Sequence, residues 1–220
     1  MQGDDFHLGL YLCYELHYRS FAGVDDDWEW EPSLLAVRRR LERAFERALR
    51  DAVRVPAFPA AADMQTKLRA LIAGNESPSP ARRLETSPTT DRFREFMIHR
   101  SAYQLKEADP HTWTLPRLEG RAKAAMAEIQ SDEYGGGRPE RMHSVLFADA
   151  MAALDLDSAY GAYLDLIPGV TLATVNLMSF LGLHRRLRGA AVGHLAAFEM
   201  TSPEPNRRYA SALERLGFGS

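Results

Sequence analysis

Cysteine is almost absent from this sequence, in which Cys13 is the single example among 220 residues. An intrachain disulfide is therefore excluded, and the chain cannot be a small secreted scaffold held together by disulfides. One thiol in a chain of this length is typical of a reducing compartment. We therefore expect a cytoplasmic protein.

An excess of positive charge is also missing. The 27 lysines and arginines are slightly outnumbered by 30 acidic residues, which gives a formal net charge of −3 with both signs interspersed. Nucleic-acid-binding domains usually carry a basic face, and peripheral membrane proteins often carry a polybasic segment. Neither nucleic acid nor a membrane is an expected partner.

No apolar run is long enough to cross a bilayer. The most apolar stretch, Val170–Leu183, contains Asn176 and is shorter than the roughly 20 apolar residues that a spanning helix needs. The N-terminal M-Q-G-D-D is acidic and lacks the apolar core of a secretory signal. We predict that Val170–Leu183 is a helix buried in the core of a globular protein.

Period-two alternation, which marks half-buried strands, does not occur over any useful length, whereas apolar residues recur at helical spacing almost everywhere. We therefore predict an all-α fold, one domain over residues 1–220, with helices too varied in length for a simple up-down bundle. The segment 75–88 is predicted to be an irregular, mobile linker. The predicted helices cover residues 5–21, a segment from 32, 63–74, 90–107, 116–134, 139–156, 158–166, 170–183 and 187–200, with a last helix ending at Gly217.

Three candidate metal ligands surround a break in the helical pattern, in the segment E-Y-G-G-G-R-P-E-R-M-H. Residues advance about 100° around a helix, so Glu133 falls on the apolar stripe of the helix 116–134. After the break, His143 begins the next apolar stripe, and Glu140 lies within about 60° of it. Glu140 and His143 also form Glu-x-x-His, a spacing at which both side chains can reach one ion.

Two further carboxylates are candidates because of their surroundings. The helix 187–200 is apolar on nearly every side, and a buried Glu199 would be costly without a neutralising partner such as a metal ion. Glu107 ends a helix in register with Phe96, Arg100 and Tyr103, which favours an inward orientation.

Each candidate also has a structural interpretation. Glu133 could end its helix in solvent, the triple glycine could be only a flexible joint, and Glu199 could pair with Arg185, Arg186 or Arg188. Packing, a turn or a hydrogen bond in the core is the simpler interpretation of three other histidines: His17, His111 and His194.

Three blocks of the sequence resemble the haem-oxygenase-like di-iron oxidases, a group described as iron-containing redox enzymes. They read Y-Q-L-K-E-A-D-P-H-T-W, D-E-Y-G-G-G-R-P-E-R-M-H-S-V-L-F and H-L-A-A-F-E-M-T-S-P-E-P-N-R-R-Y. The N-terminal Y-L-C-Y-E-L-H-Y-R-S-F-A-G-V-D-D-D-W-E-W is similar to the bacterial branch. This resemblance implies a haem-oxygenase-like multi-helix bundle with a non-haem di-iron site that activates O2 to oxidise a small organic substrate.

The resemblance also assigns roles by position in the motifs. Glu107 matches the first carboxylate ligand, His143 the histidine and Glu199 a bridging carboxylate, while Glu133 matches an additional carboxylate of the N-oxygenating branch. Glu140 is a candidate from helical geometry alone. The last helix of the group carries His-x-x-x-Asp-x-x-His, which is absent here because no histidine follows Glu199. We therefore expect either a chain that stops before the last ligand helix or an incomplete site.

Three functional hypotheses follow. The first is an iron-dependent oxidoreductase that uses O2 on a small molecule, with N-oxygenation as one outcome, and that could act as a homodimer. The second is a catalytically incomplete helical module without iron, used for ligand or partner binding. The third is a metal-free enzyme on the same fold, for which Cys13 is the one thiol nucleophile.

Overall fold

The computed structural model describes residues 3–53, 64–75 and 77–218, and every regular element in these ranges is helical. The all-α prediction is confirmed, and the bundle is consistent with a haem-oxygenase-like fold. No described helix combines the length and apolar character needed to span a membrane. The α-helices are α1 (Asp4–Glu15), α2 (Pro32–Ala52), α3 (Met64–Ala73), α4 (Pro80–Thr86), α5 (Thr90–Gln104), α6 (Asp109–Thr112), α7 (Gly120–Glu133), α8 (His143–Ala153), α9 (Gly169–Leu183), α10 (Arg188–Thr201) and α11 (Pro203–Arg215).

Helix α9 lies at the centre of the bundle, since it packs against α1, α5, α6 and α10. Leu172, Val175, Met178 and Phe180 on this helix are each at most 2% exposed. A helix that is apolar on nearly every side is stable in water only when neighbouring elements cover it. The prediction of a buried core helix over 170–183 is confirmed.

The predicted segments 75–88 and 158–166 differ in type from the structure. The supposedly irregular segment 75–88 contains α4, which Ser79 caps by accepting a hydrogen bond from the Arg82 N–H at 3.2 Å, and Pro80 occupies the first helical position. Helix α4 packs against α11 through buried apolar side chains. The predicted helix over 158–166 was wrong, because this segment forms turns and a single 3₁₀ turn at Leu164–Leu166. The predicted helix start at Asp63 lies outside the described residues.

A buried ion pair joins α1 to the turn that follows α5. Lys106 Nζ lies 2.6 Å from Glu15 Oε2, and the two side chains are 1% and 0% exposed. The Tyr160 hydroxyl donates to the same oxygen at 2.7 Å, and the Lys106 ammonium lies 4.2 Å from the centre of the Tyr18 ring. Burial lowers the pKa of Lys106, whereas the charge of Glu15 opposes that change. This pair therefore fixes the chain directly before Glu107.

Removing one member of the pair should destabilise the fold. We expect Lys106→Met to lower the free energy of unfolding by about 3–5 kcal/mol, because Glu15 becomes a buried charge without a partner. The double variant Glu15→Gln/Lys106→Met should recover much of this loss, since neither charge remains. Urea unfolding of both variants measures the difference, and a single variant as stable as the double one would contradict the prediction.

Candidate metal centre

Glu107, Glu133 and His143 come from three different elements and converge at one point. Glu107 lies in the turn between α5 and α6, Glu133 is the last residue of α7, and His143 is the first residue of α8. One potential ligand atom from each residue lies within 4.8 Å of the others. Across residues 3–53, 64–75 and 77–218, this is the one group of three or more such side chains close enough to share an ion.

The glycine-rich break brings Glu133 and His143 together. Gly135 has a φ of 68°, a left-handed conformation that residues with a Cβ atom adopt at a cost. A Cβ atom at Gly135 would lie 2.7 Å from the backbone carbon of Arg141 and 2.8 Å from the nitrogen of Met142. The chain therefore folds back against itself directly before α8, and the break is a tight reversal rather than only a flexible joint.

Two glutamines orient the turn that carries Glu107. The Gln104 side-chain amide donates to Glu107 Oε2 at 3.0 Å. Gln130, buried on α7 one turn before Glu133, donates to the carbonyl oxygen of Ala108 at 2.8 Å. Ala108 has a φ of 80°, so this hydrogen bond stabilises a backbone conformation that alanine rarely adopts. Helix α7 thus supplies one candidate ligand and also holds the turn that supplies another.

The candidate ligands line a cavity of about 310 Å³, which Glu199 of α10 also lines. Burial raises the pKa of Glu107 to about 7, and the negative charge of Glu133 adds to this increase. Burial and the same Glu133 charge raise the pKa of Glu199. The pKa of His143 is also raised, chiefly by its contact with Glu133. The site therefore concentrates negative charge that a proton or a cation would stabilise.

Comparison with known protein families identifies one family that matches the part of the chain carrying the candidate site. A family profile described as iron-containing redox enzyme matches residues 94–220, a span that includes all five predicted ligands. The chain belongs to the iron-containing redox enzyme family. No curated protein matches the chain. Family membership confirms the resemblance and indicates an iron-dependent redox role.

The residues present fit the iron that the family implies. Glu133 Oε2 is buried and lies 2.7 Å from His143 Nδ1, and it has no hydrogen-bond partner among the described residues. A buried carboxylate oxygen without a hydrogen-bond partner is costly. A cation between the oxygen and the imidazole nitrogen would satisfy both atoms, and carboxylate and imidazole ligands suit Fe(II).

The structure does not bring Glu140 to the other candidates. Pro139–Arg141 is a separate 3₁₀ turn, Met142 is extended with φ −61° and ψ 132°, and Glu140 is exposed. The predicted helix over 139–156 was therefore wrong at its start, because α8 begins at His143. Without a shared helix, the Glu-x-x-His spacing no longer places Glu140 and His143 on one face.

Glu199 reaches the cavity from a helix that is less buried than expected. On α10 only Ala191 and Leu195 are fully buried, and Glu199 itself is exposed. The prediction that 187–200 is buried on nearly every side was wrong, because most side chains of α10 are only partly buried. Glu199 therefore lies at the rim of the site, outside the group of three.

A pair of histidines that was not predicted as ligands forms part of the neighbouring wall. His111 Nε2 lies 3.2 Å from His194 Nδ1, and His111 lines the cavity. Burial lowers the pKa of His111 to about 4, and burial also lowers the pKa of His194. Both rings are therefore neutral near pH 7, which confirms that His194 is a hydrogen-bonded interior histidine.

Sequence analysis missed Gln130, although a signal for it was present. It lies four residues after Met126 and so shares the inward face of α7 with Met126. A polar residue on an apolar stripe usually has a specific hydrogen-bond partner when it is buried. The identity of that partner depends on a contact with the turn at Ala108, which local periodicity does not report.

The reversal at Gly135 can be tested with matched alanine substitutions. Gly136 has a φ of 61° and no atom within 4 Å of an added Cβ. Gly136→Ala should therefore cost only the left-handed conformation, about 1–2 kcal/mol. Gly135→Ala carries the same cost and a collision with the Arg141 backbone, so it should destabilise the protein more and weaken iron binding. Urea unfolding and metal titration compare the two variants, and equal effects would contradict this role of Gly135.

The raised pKa of Glu107 predicts a pH-dependent stability of the metal-free protein. Because the folded pKa is about 7 and the usual value is 4.5, the stabilising contribution is complete below pH 4.5 and is lost as pH rises through 7. The raised pKa values of Glu199 and His143 act in the same direction. The free energy of unfolding of Glu107→Gln should therefore increase relative to that of wild type as pH rises from 5 to 8.

Chemical unfolding at several pH values in the presence of a chelator measures this effect. Glu128→Gln is the matched control, since Glu128 is exposed on α7. Its difference from wild type should stay constant with pH. A constant difference for Glu107→Gln as well would mean that the folded pKa of Glu107 is not raised.

Proposed function

We propose that this protein is a non-haem iron oxidoreductase that uses O2 to oxidise a small organic molecule. The observation that carries the proposal is the convergence of Glu107, Glu133 and His143 within 4.8 Å at the wall of a cavity of about 310 Å³. That volume lies at the lower end of the range for ligand pockets, which favours a small substrate.

The donor chemistry supports iron bound directly by side chains. Two carboxylates and one imidazole leave coordination positions open, and Fe(II) bound in this way can react with dioxygen. Haem iron is usually held by an axial histidine, cysteine, methionine or tyrosine, whereas His143 lies against two carboxylates. Glu107 and Glu133 would neutralise the ion, and His143 would complete the ligand set through Nδ1.

A more specific proposal is that the site holds two iron ions. Glu199 lines the same cavity, and the negative charge of Glu133 contributes to its raised pKa. Glu199 would therefore be the carboxylate that a second ion shares with the first site. N-oxygenation is the reaction that we favour, because Glu133 matches the additional carboxylate of the N-oxygenating branch. Glu140 as a ligand, the cytoplasmic location and the absence of nucleic-acid partners stay predictions.

The cavity wall supplies the conditions that such chemistry requires. Tyr103 and Phe198 form an apolar surface beside the ligands, with ring centres 6.0 Å apart. His111 is neutral and can accept or donate a hydrogen bond at a ring nitrogen without placing a further charge in the cavity. Arg100 also lines the cavity, and its guanidinium lies 5.5 Å from the centre of the Phe96 ring. Together these residues would orient a small substrate and limit water near the ion.

The thiol-based alternative has little support. Cys13 is buried in α1 and does not line the cavity. Burial raises the pKa of its thiol, which disfavours the thiolate that a nucleophile requires. Cys13 should therefore be alkylated much more slowly in the folded protein than in the unfolded protein.

Anaerobic Fe(II) titration of metal-free protein tests the proposal. We expect wild type to bind iron and then consume O2, and Glu133→Gln and His143→Ala to bind iron more than about 100-fold less tightly, since even residues that only support ligands contribute 10–100-fold. Glu128→Gln on the same helix should bind like wild type. The ratio of iron to protein distinguishes one ion from two.

Two results would reject the proposal. Wild-type protein that binds no iron would leave the incomplete helical module as the better description of this chain. Iron binding unchanged in Glu133→Gln and His143→Ala would place the metal elsewhere.

Iron binding should also become weaker as pH falls through 7, because Glu107 must lose its proton to bind the ion.

A further inference from the structure

Two neighbouring surfaces outside the cavity have opposite charge and no described partner. The first is the segment 24–31, which we term the acidic-aromatic turn. Trp28 and Trp30 are 48% and 65% exposed, and Val24 is 38% exposed. The same segment carries five carboxylates, from Asp25, Asp26, Asp27, Glu29 and Glu31. Adjacent exposed tryptophans are unusual on a free surface and are frequent at protein interfaces.

Local contacts hold the acidic-aromatic turn in a fixed shape. Asp25 Oδ1 accepts a hydrogen bond from the Asp27 N–H at 2.9 Å, which caps the 3₁₀ turn Asp26–Trp30. The Trp30 ring packs edge-on against His17, with ring centres 5.2 Å apart, and His17 Nδ1 lies 3.2 Å from Glu29 Oε1. A surface that is ordered before binding loses less conformational entropy when a partner contacts it.

The second surface is a row of arginines on α2. Arg40, Arg43 and Arg47 recur at spacings of three and four residues and are all exposed, on the side of the helix opposite the buried Phe45. Several other charged residues of α2 do form ion pairs, including Arg38 with Glu42 and Arg50 with Glu46. Within the described part of the chain, none of the three arginines of this row forms an ion pair or a side-chain hydrogen bond.

The two surfaces complement each other but do not meet within one chain. No ion pair joins the row to the turn among the described residues, although the turn directly precedes α2. A second copy related by a two-fold axis can place each turn on the arginine row of its partner, so that every favourable contact occurs twice. Arginine pairs well with carboxylates and also binds the faces of tryptophan rings.

We propose that this protein forms a symmetric homodimer in which the acidic-aromatic turn of each copy contacts the arginine row of the other. Charge favours this partner over two others. An anionic membrane or nucleic acid would bind the arginines, but it would repel the five carboxylates beside them. A second copy is complementary to both surfaces at once, and the interface includes no described residue that lines the cavity.

Charge reversal and mixing test the dimer directly. Asp26→Arg/Asp27→Arg reverses the turn, and Arg43→Glu/Arg47→Glu reverses the row. Each variant alone should associate at least about 100-fold more weakly than wild type, since like charges across an interface cost several kcal/mol and each pair occurs twice. An equal mixture of the two variants should form the dimer again, because both contacts of the mixed pair then join opposite charges.

Sedimentation analysis of the metal-free protein measures the oligomeric state independently of iron binding. Arg121→Glu/Lys123→Glu on the exposed side of α7 changes the net charge by the same amount as the reversed arginine row and should dimerise like wild type. Circular dichroism establishes that every variant is folded. A monomeric wild type at its highest soluble concentration overturns the proposal, as do reversed variants that still dimerise or a mixture that stays monomeric. Association of wild type only with anionic vesicles would assign the surface to a membrane instead.

Discussion

Like charges placed close together inside the protein are the constraint on which the site depends. Glu107 and Glu133 approach each other in a partly water-excluded cavity, and Glu199 adds a third carboxylate at its rim. Such an arrangement is stable only with bound protons or a cation. Because the pKa of Glu107 is about 7, a bound proton neutralises this carboxylate in the metal-free protein below that pH. A bound iron ion would neutralise the carboxylates in place of protons. Metal binding, pH and local stability are therefore coupled through the same few atoms.

The fold holds this arrangement by bracing one short turn from two sides. Arg19 of the chain after α1 donates to the carbonyl oxygen of Leu105 at 3.0 Å, and Gln130 of α7 donates to that of Ala108 at 2.8 Å. Lys106 between them is tied to Glu15 in the core. The position of Glu107 therefore depends partly on Arg19 and Glu15, which lie outside the cavity lining, and such supporting contacts are typical of metal ligands.

The chemistry and the assembly that we propose use different parts of the chain. The candidate ligands come from the turn after α5, from α7 and from α8, whereas the proposed interface lies on α2 and the turn before it. Family membership indicates an iron-dependent redox role, and the carboxylate and imidazole donors are suited to that metal. A small cavity with an apolar wall and one arginine gives the substrate a limited size and a defined polar side.

The sequence by itself determined the all-α fold and the identity of Glu107, Glu133 and His143 as candidates, because helical periodicity and local motifs report which residues face inward. The order of helices and the buried character of α9 followed from the same periodicity. Helical periodicity did not predict the helix boundaries near the site. Met142 is extended and separates Glu140 from the helix that begins at His143.

Only the tertiary structure decided which carboxylates meet. Gly135 reverses the chain against Arg141 and Met142, Gln130 holds the backbone at Ala108, and Glu199 lies at the rim on a helix that is only partly buried. Each of these results depends on how separate elements pack against one another. A periodic pattern describes one helix at a time, so it contains no information about such contacts.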